Sequence, residues 1–123
     1  MATAQFEAVL EQMQEKGSPN LSPTRGAERF AMQSQELAAH AGVHRNTLLK
    51  HPGAAKLQKY MRNLMRITSA ASAVQPNIDS ALFFVKNTPI PAFRHKTAFQ
   101  LLDEGRTEDV VEYFASIESG FAG

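Results

Sequence analysis

The chain has 123 residues, 43% of them hydrophobic, and a formal net charge of +1. That size and apolar content suit one compact domain or two small modules sharing a core. The absence of cysteine excludes disulfides, thiol catalysis and thiolate metal sites, and no apolar run approaches the ~18 residues that a membrane helix needs. With no signal-peptide pattern at the N-terminus, a soluble cytoplasmic protein without membrane contact is expected.

Phe6, Val9, Leu10 and Met13 recur at helical spacing and predict a first helix over Ala2–Glu15, ended by Gly17-Ser18-Pro19-Asn20. The sequence leaves open whether this helix is a peripheral arm or an oligomer contact. Ser22 offers an N-cap and Pro23 the first helical position. A short helix to about Phe30 follows, with Ala27 and Phe30 inward.

Ser34–His51 reads as two helices around a tight turn. Ser34 is the expected cap of a helix running to about His40, and Gly42 supplies the positive φ of the turn. A second helix starts near Arg45. Leu37, Ala38, Ala41, Gly42, Val43 and Leu48 match the apolar and small positions of a helix-turn-helix. Arg45, Asn46, Thr47 and Lys50 are left facing outward. Arg suits bidentate pairing with guanine and Asn with adenine, while Thr and Lys suit phosphates or base edges. His44 stands where Ser or Thr is the usual cap.

Pro52-Gly53 ends that unit. Lys56–Ala73 is the longest predicted helix, with Leu57, Tyr60, Met61, Leu64, Ile67, Thr68 and Ala71 as its apolar stripe. Lys56 and Lys59 lie off the stripe and are candidate phosphate contacts. Asn77 can cap a helix to Lys86 that buries Ile78, Ala81, Leu82 and Val85. Phe83 and Phe84 widen its apolar face enough to suggest packing on two sides, or a second chain.

In Asn87-Thr88-Pro89-Ile90-Pro91-Ala92-Phe93 two prolines rule out helix and inner strand, and Ile90 and Phe93 should dock. Thr97 with Gln100 is a capping-box pattern for a short helix ending at Gly105. Thr107 is the expected cap of the last helix, with Val110, Val111, Phe114 and Ile117 inward and Gly120 at its end. Asp103-Glu104 and Glu108-Asp109 read as helix-end carboxylates that complement the dipole. His40, His44, His51 and His95 form no ligand pattern, and no nucleophile or phosphate-loop motif is present. No metal, cofactor or enzymatic activity is expected.

Charge divides the chain. Residues 1–76 hold nine Lys/Arg against five Asp/Glu, and residues 77–123 hold four against seven. Arg45–Arg66 contains six basic residues and no acidic one. This predicts a polyanionic partner for the first half and a different partner for the second.

Phe84, Asn87, Pro89, Pro91-Ala92-Phe93, Leu101-Leu102, Gly105-Arg106, Val110 or Val111, Ile117 and Gly120 together resemble the toxin-binding domain of the Xre/MbcA/ParS antitoxin family. The upstream helix-turn-helix pattern resembles its Xre-like half, so the likeness spans Ser22–Gly123. Phe84 stands where tryptophan is usual, and Ala98 where many members have proline. The resemblance implies an all-α fold: an N-terminal helix and linker (1–21), a helix-turn-helix DNA-binding region (22–75) and a toxin-binding domain (76–123). It implies a type II antitoxin that neutralises a partner toxin, of the RES-domain NAD-consuming kind, and represses its own operon. Operator DNA and a homodimer or higher oligomer complete the expected partners. Gly120, Phe121, Ala122 and Gly123 would plug the toxin, with Arg94 a further contact. The alternatives are a stand-alone dimeric transcriptional regulator and a helical adaptor without DNA contact.

Overall fold

Helix α5 (Ala55–Ser72) is the axis around which the other helices pack in the computed structural model, which describes residues 3–120. Its stripe is buried as its spacing predicts: Leu57, Met61, Leu64, Ile67 and Ala71 are all at most 1% exposed. Against it lie α1 (Thr3–Met13), α3 (Ser34–Ala41), α6 (Ile78–Asn87), α7 (Ala98–Asp103) and α8 (Thr107–Glu118). α2 (Pro23–Arg29) and α4 (Arg45–Lys50) complete an all-α fold. Among the described residues no helix is long and apolar enough to cross a membrane.

The first helix belongs to the core. Phe6, Val9 and Met13 are buried in one continuous cluster with side chains of the other helices. Gln5 Oε1 also accepts the Ile78 N–H at 2.8 Å, so α1 satisfies an otherwise open donor at the start of α6. Gly26 of α2 sits against the Met61 side-chain tip: a Cβ there would lie 2.6 Å from Met61 Cε, so a larger residue requires that methionine to move.

Capping follows the sequence in most places. Ser22 accepts from Arg25 N, Asn77 from Ser80 N, and the Thr97–Gln100 capping box has both of its bonds. Two expected caps are displaced by one residue. Ser34 is the first residue of α3, with Gln33 at the cap position and no side-chain bond. Thr107 is likewise the first residue of α8, behind Arg106. Its β-branched side chain is buried, and Arg106 instead donates Nε–H to Asp109 Oδ2 at 2.9 Å.

The proline segment folds into a closed loop. Ile90 is buried, and its N–H donates to Lys96 O at 2.9 Å. Pro91–Phe93 forms a single 3-10 turn. Arg94 and His95 then take left-handed φ values of 56° and 64°, unusual for residues with a Cβ. This reversal brings the last helices back over α6. Phe84 meets Phe114 edge-on, with ring centroids 5.5 Å apart, and Phe93 meets Tyr113 at the same separation. Phe114 is buried, as are Leu101 and Val110 in the same core.

Candidate nucleic-acid interface

Six residues are few for an independent helix, so α4 depends on its anchors. At the turn Gly42 has φ 71°, and Val43 N–H donates to Ala38 O at 3.0 Å. Lys56 Nζ reaches back from α5 to Gly42 O, also at 3.0 Å. His44 occupies the cap position, and its Nδ1 accepts the Asn46 N–H at 3.1 Å. An imidazole nitrogen thus replaces the usual hydroxyl oxygen. Leu48 is 1% exposed and pins the helix to the core.

With Leu48 inward, Arg45, Asn46 and Lys50 are exposed and Thr47 is half-buried. These four predicted contacts therefore share one short, rigidly seated helix. Lys59 is exposed on α5, whereas Lys56 already holds the turn. Leu49 is 46% exposed on α4 and was not among the predicted contacts. The signal was available: Leu48 and Leu49 are adjacent, so one helix face cannot bury both. An apolar side chain there suits the thymine methyl group.

Beside this surface an open groove runs between α5 and the α7–α8 corner, lined by Ala41, Lys56, Lys59, Asn63, Arg66 and Glu108. Arg66 and Glu108 pair across it at 2.6 Å. The Arg66 hydrogen bond, then its charge, holds the Glu108 carboxyl below its ordinary value.

Behind the surface is a polar seam that sequence reasoning missed. His40 Nδ1, on the last turn of α3, is hydrogen-bonded to Asp103 Oδ2 on α7. Tyr60 of α5 donates its hydroxyl to Asp103 Oδ1 at 2.7 Å. Phe99 lies against this group, 4.9 Å from the His40 ring and 6.4 Å from Tyr60. Asp103 and Glu104 are therefore not dipole complements. They sit at the C-terminal end of α7, where a carboxylate is unfavourable, and are held by His40, Tyr60 and Lys96 instead. Glu108 and Asp109 do occupy the first turn of α8.

Burial, then the Asp103 hydrogen bond and charge, push the Tyr60 phenol well above its ordinary value of 10.0. The folded protein thus keeps this proton where the unfolded chain loses it. The resulting stability is complete below pH ~10 and falls by up to roughly 1.4 kcal/mol per pH unit above it. Tyr60→Phe should flatten this alkaline decline in urea melts between pH 9 and 11, at a cost of about 1 kcal/mol at pH 7.

The expected toxin contacts lie elsewhere. Arg94 is exposed in the loop after the 3-10 turn, and Gly120, with φ 83°, follows α8. Phe121, Ala122 and Gly123 fall outside the described residues. Arg106 extends the surface near Arg94, its guanidinium carbon 5.1 Å from the centroid of the Phe93 ring. Compared with family models, curated proteins and solved structures, the chain matches none.

Proposed function

We propose that the chain is a DNA-binding antitoxin, which reads operator DNA with the outer face of α4 and holds a partner toxin through its C-terminal region. One observation carries the DNA half. Arg45, Asn46 and Lys50 project into solvent from a helix fixed at its cap, its turn and Leu48. They open a stretch, Arg45–Arg66, with six basic residues and no acid. Arg45 and Asn46 serve as base readers, Leu49 as a methyl contact, and Thr47, Lys50 and Lys59 as phosphate contacts. Lys56 orients the turn and lends its charge to the same field. The toxin half rests on the resemblance of residues 84–123 and on the acidic balance of the second half.

Fluorescence anisotropy with duplex DNA at increasing salt tests the first half. Three or more phosphate contacts require log affinity to fall with log salt at a slope of about −3 or steeper. A flat response removes the DNA reading. Co-expression with the product of the adjacent reading frame, followed by pull-down, tests the second half. A chain lacking Phe121–Gly123 should neutralise that protein less well while keeping its helical signal. Full protection by the shortened chain removes the plug.

A further inference from the structure

We propose that the outer face of α6 is a self-complementary docking surface for a second copy of this chain. Phe83 is 65% exposed, a large apolar side chain left in solvent while its neighbour Phe84 packs on Phe114. It rims an open groove of about 290 Å³, lined also by Arg29, Phe30, Leu82 and Lys86. The fold thus sets an apolar knob beside an apolar-floored hole on the same surface.

The order of residues along α6 indicates what covers it. Asp79, Leu82, Phe83 and Lys86 follow the spacing i, i+3, i+4 and i+7, so they form one stripe. Its acid is at the N-terminal end and its base at the C-terminal end. Two copies of α6 run antiparallel about a two-fold axis between positions 82 and 83 set Phe83 over the groove of the second copy, whose floor is the largely buried Leu82 and Phe30. The same register places Asp79 against Lys86 of the second copy. A parallel pair would set Asp79 against Asp79 and Lys86 against Lys86, so charge selects the antiparallel arrangement.

Both charges are already held at the rim. Asp79 is 87% exposed with Arg29 Nη2 3.9 Å away, and Lys86 Nζ donates to Ala31 O at 2.8 Å. A two-fold contact of this kind closes on itself as a dimer and cannot extend into a filament. The surface is small, so the association belongs to the weak, transient class. It stands independently of the DNA reading, although paired readers are what a two-fold operator requires.

Sedimentation equilibrium of the full chain at low salt tests the inference. The wild type should rise from one to two chain masses across the micromolar range. Phe83→Glu should stay at one mass, with an unchanged circular dichroism melt because the side chain is exposed. Asp79→Lys should weaken association at least about tenfold, and adding Lys86→Asp should restore it by reversing both charges. A wild type that remains single throughout overturns the proposal. So does a dimer that survives Phe83→Glu, or one indifferent to Asp79→Lys.

Discussion

Arg45→Ala is expected to lower affinity for operator DNA by roughly 10- to 100-fold, and Asn46→Ala by a similar factor. A well-placed bidentate contact to a base contributes about 1–3 kcal/mol of discrimination. Neither change should disturb the fold. The Arg45 and Asn46 side chains face solvent. The cap uses the Asn46 backbone N–H and the His44 ring, and Leu48 still anchors the helix. The loss must therefore appear in mobility-shift assays with no change in the helical signal. Lys59→Ala should act differently. A phosphate contact is blind to sequence, so its removal weakens all duplexes alike and reduces the salt slope by about 1. Arg45→Ala weakening every duplex equally would count Arg45 as a phosphate contact and take base reading away from it.

Gln58→Ala should be the most damaging single change to stability, at about 3–5 kcal/mol, read as a lower urea midpoint with unchanged slope. Gln58 is 2% exposed and joins two loops to α5. Its Oε1 accepts Leu21 N–H at 2.9 Å, and its Nε2 donates to Leu21 O at 2.8 Å and Pro52 O at 2.7 Å. Alanine strands these backbone groups, at about 1–3 kcal/mol for each one left unpaired, and opens a cavity besides. Gln58→Glu should be worse at neutral pH, because a carboxylate then faces two carbonyl oxygens. Burial raises the pKa of such a group. The extra penalty is therefore absent at acid pH, where the protonated carboxyl can still donate, and grows as pH rises. Pro52 follows α4 directly, so these variants should also bind DNA more weakly as the end of that helix loosens.

Local features were legible in the sequence because their chemistry is local. Gly42, Ser22, Asn77 and the Thr97–Gln100 pair each act within a few residues. The buried stripes of α5 and α6 follow from spacing alone. What escaped was set by distance along the chain. Gln58 looks like an outward residue on a helix, and only the return of a loop 37 positions earlier makes it a buried bridge. His40 and Asp103 are 63 positions apart and meet only because α3 and α7 both pack on α5. Of the candidate site, the residue types on α4 were readable. The imidazole cap and the diversion of Lys56 to the turn needed the packed structure, whereas the exposure of Leu49 was implied by its adjacency to Leu48.

The bond from Gln5 to Ile78 also bears on the order in which the chain is made. It spans 73 positions, so α1 leaves the ribosome long before the helices that cover it. An eleven-residue helix is marginal alone in water, and until α5 and α6 have followed, Phe6, Val9 and Met13 have only the short α2 as a neighbour. α1 is thus made well before it is fully secured, and slowing translation between residues 13 and 78 would lengthen the interval during which its apolar face is open to chaperones and proteases.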